Sequence, residues 1–110
     1  MVQLPSDIEG ALRSFKAGLL ADFGHRVRRV VLFGSVARGA ARWDSDVDVL
    51  VLLDRLDRGE VSRIVDRAAD ELTARGVLIS PTVMSEDAFA ALARRERRLP
   101  ADITREGIPL

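Results

Sequence analysis

At 110 residues the chain has the size of one domain, taken here as 1–110, and is too short for two. Apolar residues make up 47% and charged residues 31%, and 17 basic against 17 acidic side chains leave a formal net charge of zero, so one modest core is expected and no broad basic field for nucleic acid. The absence of cysteine excludes disulfides and thiolate metal sites, and a single histidine, His25, excludes a histidine-rich zinc site. No basic leader precedes an apolar stretch, and no apolar run approaches the ~18 residues of a membrane span. A cytoplasmic protein is expected.

Residues 1–5 read as a loose lead-in. Ser6, with Glu9 three residues on, predicts a capping box. Ile8, Leu12, Phe15, Leu19 and Leu20 then recur at helical spacing up to Gly24. The apolar run Val30-Val31-Leu32-Phe33 predicts a buried strand over 27–33, broken by Gly34. A short helical turn is expected at 35–38. The second strand, 47–53, is apolar on both faces, which requires cover on both sides of the sheet. Asp54, Asp57 and Gly59 mark a turn. Val61, Ile64, Val65, Ala68, Ala69 and Leu72 predict an amphipathic helix stopped by Gly76. A third strand over 77–84 contains Pro81, a sign of an edge strand or bulge. Ser85 is placed to cap a last helix through Ala88, Phe89, Leu92 and Ala93. Residues 99–110, with two prolines and Gly107, read as an extended tail without period. Its Ile103, Ile108 and Leu110 then lack a helix to bury them, so tail and last helix are expected to help form a protein interface. The expected fold is a mixed α+β arrangement, in α-β-α-β-α-β order, with a small mixed sheet packed by helices.

The chemistry concentrates between Leu32 and Leu52. Gly34 sits where a strand gives way to a helical turn, and glycine there tolerates unusual dihedrals and lets a ligand approach the backbone. The amides of that turn and the Ser35 hydroxyl make an anion-binding corner. Twelve residues on, Asp46 and Asp48 open the next strand. Side chains at i and i+2 share a face, so the two carboxylates repel unless a cation joins them. A hard, oxygen-liganded ion such as Mg²⁺ meets that need, with triphosphate oxygens completing its shell. Either feature alone is commonplace; together they form the layout of metal-assisted phosphoryl or nucleotidyl transfer.

Phe33-Gly34-Ser35-Val36-Ala37-Arg38-Gly39, followed by Ser45-Asp46-Val47-Asp48, resembles the signature of the polymerase-beta-like nucleotidyltransferase superfamily, in particular its minimal nucleotidyltransferase (MNT) branch. The likeness extends loosely to the ending Arg105-Glu106-Gly107-Ile108. The resemblance implies that Gly34 and Ser35 bind the triphosphate, that Asp46 and Asp48 hold two Mg²⁺ ions, and that a third carboxylate lies on a neighbouring strand. It also implies ATP as substrate and a HEPN-type toxin as partner, the MNT protein being the antitoxin that transfers AMP to it. Two alternatives stand beside this: a catalytically weak or inactive antitoxin that acts by binding its toxin, and a small-molecule nucleotidyltransferase. A homo-oligomer stays open.

The third strand carries no acid. Gly34 and Asp46 must meet, so the first two strands run antiparallel; the helix after the second favours a parallel crossover to the third. The expected position of a third carboxylate is then Ser80 or Thr82. Glu86 and Asp87 lie past the far end, roughly 13–20 Å along the strand at ~3.3 Å per residue. The general base is therefore missing, or comes from water, a partner or an unplaced residue.

Other residues carry weaker signals. Arg38 reads equally as a phosphate contact or as a partner of Asp44 or Asp46 that holds the loop. Ser45 orients the loop and is a candidate nucleotide contact. Trp43 reads as a packing anchor rather than a base-stacking platform, and His25 as a helix-end residue. Arg94, Arg95, Arg97 and Arg98 read as a solvated end of the last helix, with a patch for an acidic partner or RNA as the sharper alternative.

Overall fold

The structure, a computed structural model, describes residues 4–39, 46–95 and 98–110. Helix α1 (Ser6–Phe23) buries Ala11, Leu12, Phe15, Leu19 and Phe23 and ends at Gly24, whose φ is 58°. The predicted capping box does not form. Ser6 is already helical and no side chain caps the helix; Glu9 turns outward to Arg13 at 3.3 Å, while its amide donates to the Pro5 carbonyl. A single 3₁₀ turn, Gly24–Arg26, holds the exposed His25 and leads into β1 (Val27–Phe33). The four-residue α2 (Gly34–Ala37) follows, then β2 (Val47–Leu53), α3 (Glu60–Arg75), β3 (Ile79–Ser85) and α4 (Glu86–Arg95). The Ser85 hydroxyl accepts from the Ala88 amide at 3.1 Å, the cap expected from sequence.

The strands form one mixed sheet in the order β3-β2-β1-β4, where β4 is Ile108–Pro109. β1 runs antiparallel to both β2 and β4, and β2 runs parallel to β3. The fold is thus the expected α+β arrangement, with β3 at an edge. The Leu78 carbonyl accepts from the Val47 amide, so the alternation of a parallel ladder turns Ser80 and Thr82 toward β2 and leaves the Pro81 nitrogen on the open side. A proline is tolerated there because no N–H is required.

Both faces of the sheet are covered, as the doubly apolar β2 requires. On one face Val47, Val49, Val51 and Leu53 pack with α1 and with Ile64 and Ala68 of α3. On the other, Val31, Leu50 and Leu52 pack with Ile103, joined by Phe33, Met84, Phe89 and Leu99. Burial of each such side chain is worth about 1.5–3 kcal/mol.

Two elements differ from expectation. Residues 99–110 are not an extended tail: α5 (Arg98–Glu106) buries Pro100 and Ile103, and β4 follows it. Pro100 falls in the first turn, where a missing N–H costs nothing. Ile103 is 1% exposed and Ile108 and Leu110 pack on the core, so the reason for expecting an interface there is gone. The Arg94–Arg98 cluster correspondingly divides between the end of α4 and the start of α5, with Arg97 outside the described residues. In α3, Val61, Val65 and Leu72 are 44–47% exposed, and the inward face is Glu60, Ile64, Ala68 and Glu71. The two stripes are adjacent on the helix. The acidic one goes inside because Arg26 and Arg75 meet its carboxylates. Among the described residues no helix is long and apolar enough to cross a membrane.

Candidate functional site

The register Phe33↔Asp48 brings the end of β1 and the start of β2 to the same end of the sheet. Gly34 opens α2 with φ +77°, a region that disfavours side chains. Space is a second reason for glycine: a Cβ at this position would collide with Oδ2 of Asp48. The Asp48 carboxylate therefore lies against the Gly34 backbone, so the two halves of the motif are in contact. Val36 and Ala37 are buried and anchor α2, which leaves Ser35 half-buried beside Gly34. Arg38 caps the helix by donating its amide to the Gly34 carbonyl at 3.2 Å. On β2, the buried Val47 fixes the alternation that puts Asp48 on the face shared with Leu50 and Leu52. Asp46 is exposed and Asp48 half-buried.

Burial raises the pKa of the Asp48 carboxyl above the ordinary aspartate value; the charge of Asp46 pushes the same way, and the Arg38 guanidinium opposes both. The expected repulsion between the carboxylates is present. Neither Asp46 nor Asp48 has an ion-pair partner among the described residues. Arg38 pairs with neither of them; its Nη1 meets Glu106 Oε2 at 3.3 Å, a partner that sequence reasoning missed. The pair joins residues 68 apart, and only the glycine after Glu106, as a helix stop, hinted at the turn that brings it back. Ser45, Trp43 and Asp44 lie outside the described residues.

A hard divalent cation suits this donor set. Two carboxylates with no ion-pair partner among the described residues, one of them held partly out of water, suit an ion such as Mg²⁺ as oxygen ligands. A third acidic ligand is not assembled: among the described residues no cluster of three or more acids or histidines is disposed to hold a metal. Ser80 is the register partner of Asp48, and Thr82 lies one alternation farther along, beside Leu50. Ser85 pairs with Leu53, so Glu86 sits at the opposite end of the sheet, where Arg28 reaches it at 3.3 Å.

This constellation can be set beside known proteins. The family model "Nucleotidyltransferase domain" matches residues 12–96. "Putative protein adenylyltransferase MJ0604" of Methanocaldococcus jannaschii is 32% identical over 81 residues, which span 74% of this chain and 77% of that protein. A solved structure described as a "putative minimal nucleotidyltransferase" is 32% identical, superposes with a TM-score of 0.60, and the match covers 94% of this chain and 96% of that one. A toxin–antitoxin crystal structure with AMP-PNP shares the fold at 21% identity, with a TM-score of 0.55 over 86% of this chain and 68% of its own. The matched span contains Gly34, Asp46 and Asp48 together with β1, α2, β2 and β3, and the chain belongs to the nucleotidyltransferase domain family, on its minimal branch.

Proposed function

We propose that the chain binds Mg-ATP where β1 ends and β2 begins and transfers AMP to a protein acceptor, a HEPN-type toxin for which it is the antitoxin. The observation that carries the reading is the carboxylate pair Asp46 and Asp48, of which Asp48 packs against Gly34 and neither has an ion-pair partner among the described residues. Asp46 and Asp48 would hold the metal, Gly34 and Ser35 would receive the triphosphate, and Arg38 and Ser45 are the further nucleotide contacts. Bound there, Mg²⁺ would screen the phosphate charge and steady the pyrophosphate leaving group. In the transfer an acceptor oxygen bonds to the α-phosphorus, the α–β bridging bond breaks, pyrophosphate leaves and the acceptor gives up a proton. The relatives named as adenylyltransferases and the shared fold of the toxin–antitoxin protein support this choice of donor and acceptor.

A second reading has its own observation. Ser80 stands beside Asp48 where a third carboxylate belongs, so among the described residues no base is placed to take the acceptor's proton. That favours an antitoxin that binds nucleotide and toxin but transfers AMP slowly. One experiment separates the two: purified protein, α-labelled ATP, Mg²⁺ and a candidate HEPN-type toxin. Rapid labelling of the toxin that Ser80→Asp does not accelerate establishes the first. Slow labelling that Ser80→Asp accelerates establishes the second. Absence of Mg-ATP binding by calorimetry sinks both.

A further inference from the structure

We infer that Glu106, at the end of α5, is a positioning residue for the nucleotide: it holds the Arg38 guanidinium at the edge of the site so that its remaining donors face the triphosphate. The inference rests on the nucleotide reading above and extends it to a part of the chain that the local motif does not include.

The backbone builds the arrangement. Leu32 pairs with Ile108 and Val31 with Pro109 in the antiparallel β1–β4 ladder. Continuing that register, Gly34 falls opposite Glu106, so the last residue of α5 and the first of α2 arrive at the same end of the sheet. Gly107 makes the approach possible. Its amide closes α5 on the Ile103 carbonyl at 2.9 Å, and a Cβ there would collide with that carbonyl and press on Val31 Cγ1. The turn is pinned on both sides: Ile103 is 1% exposed beneath it, and Ile108 packs on the core. Glu106 is therefore presented from a fixed backbone, and its carboxylate meets Arg38 Nη1 at 3.3 Å.

The contact is made through one nitrogen only, with Arg38 51% and Glu106 32% exposed at their side chains. A guanidinium carries five N–H donors in a rigid fork. Among the described residues Glu106 is the only partner of that fork, so the other donors have none there, and Arg38 already lies near enough for its charge to act on Asp48. Glu106 is not itself a ligand in this geometry, since it does not join Asp46 and Asp48 in a metal-holding cluster. An unrestrained arginine must lose side-chain freedom when it grips a phosphate. Tethering it beforehand removes part of that loss.

The test is a double-mutant cycle read by calorimetric titration of Mg-ATP into the full chain, with apo melting temperatures alongside. Glu106→Gln is expected to weaken Mg-ATP binding roughly two- to fivefold, the scale of an exposed ion pair, with little change in apo melting. In an Arg38→Ala background the same Glu106→Gln should do nothing, because there is no guanidinium left to hold. Unchanged or tighter binding in Glu106→Gln overturns the inference, tighter binding meaning that Glu106 masks Arg38 instead. Equal loss with and without Arg38 also overturns it, by showing that Glu106 acts on its own. Failure of the parent to bind Mg-ATP overturns the nucleotide reading, and this inference with it; parental binding with no coupling leaves that reading standing and removes only Glu106.

Discussion

β2 has two acidic ends, and they are built in opposite ways. At its far end Asp54 and Glu60 face Arg26, delivered by the 3₁₀ turn before β1. Arg26 Nε donates to Asp54 Oδ1 at 3.0 Å, and its two Nη atoms donate to Glu60 at 2.6 and 2.8 Å. Nη2 also reaches the Arg55 carbonyl, and the Asp57 amide donates to Glu60 at 2.8 Å. Every acid there has a fixed partner, and the Arg26 hydrogen bonds hold the Glu60 carboxyl down to about 2. At the near end Asp46 and Asp48 have no such partner among the described residues, and burial with mutual repulsion raises the Asp48 carboxyl instead. The same residue type is structural where the protein supplies the cation and is left ligand-seeking where it does not. A motif search sees only Asp-Val-Asp. What marks the site is that, among the described residues, neither carboxylate is ion-paired.

The largest expected contrast comes from neutralising one acid at each end. Asp48→Asn should cost Mg-ATP affinity at least about 100-fold, since the partners that merely orient metal ligands already cost about 10–100-fold. It should also raise the apo melting temperature, because it removes a half-buried, repelled charge. Glu60→Gln should do the reverse, lowering the melting temperature and leaving Mg-ATP affinity intact. Thermal melts with and without Mg-ATP report both. Equal responses to Mg-ATP in Asp48→Asn and the parent would move the metal elsewhere.

Gly34→Ala sharpens the contrast by attacking the contact between the two motif halves. The added Cβ collides with the Asp48 carboxylate, and alanine at φ +77° adds about 1–2 kcal/mol of backbone strain. Urea denaturation should show a loss of that order or more, with weaker Mg-ATP binding. Gly59 has φ +83° but nothing within 4 Å of an added Cβ, so Gly59→Ala should show the strain alone.

The two ends also predict opposite pH slopes. Glu60 has a folded pKa below its ordinary value of 4.5, at about 2. Its contribution to stability is present above pH ~4.5 and is lost as pH falls toward ~2. Asp48 has a folded pKa above its ordinary 3.8, so the folded state holds that proton more tightly. Its effect is a loss of stability as pH rises from about 3.8 through the folded value. In urea midpoints measured across acid pH without metal, Glu60→Gln should flatten the rise and Asp48→Asn should remove the opposing fall. Superimposable profiles for the two variants would contradict the assignment.

Much of this was legible in the sequence, for reasons that particular residues show. β1 closes on the apolar run Val30-Val31-Leu32-Phe33 before Gly34, β2 is apolar from Val49 to Leu53 before Asp54, and the doubly apolar β2 correctly required cover on both faces. The antiparallel and parallel pairings followed from one demand, that Gly34 and Asp46 meet, and from one crossover helix. α5 was hidden because Leu99 and Ile103 are too few to set a period, and because Pro100 reads as a breaker unless it is known to lie in a first turn. On α3 the sequence pointed to Ile64 and Ala68, which are buried, but not to Glu60 and Glu71 beside them, whose burial depends on arginines that other elements and the helix itself supply. Glu106 was hidden for a similar reason: its meeting with Arg38 is set by the β4 register rather than by local spacing.

The smallest predicted effect falls on Ser35, and it tests the anion corner without disturbing the carboxylates. Ser35 is half-buried at the second position of α2, and Gly34 before it already carries the backbone demand. Its hydroxyl can add one hydrogen bond to a phosphate oxygen, worth about 0.5–1.5 kcal/mol net. Ser35→Ala should therefore weaken Mg-ATP binding by roughly two- to tenfold, far less than Asp48→Asn. It removes no charge and no core contact, so the apo melting temperature should hold. Calorimetry at fixed Mg²⁺ should place the whole loss in the nucleotide. A loss that appears only as a lower melting temperature would make Ser35 a turn residue, and the corner would then rest on the backbone of Gly34 and its neighbours alone.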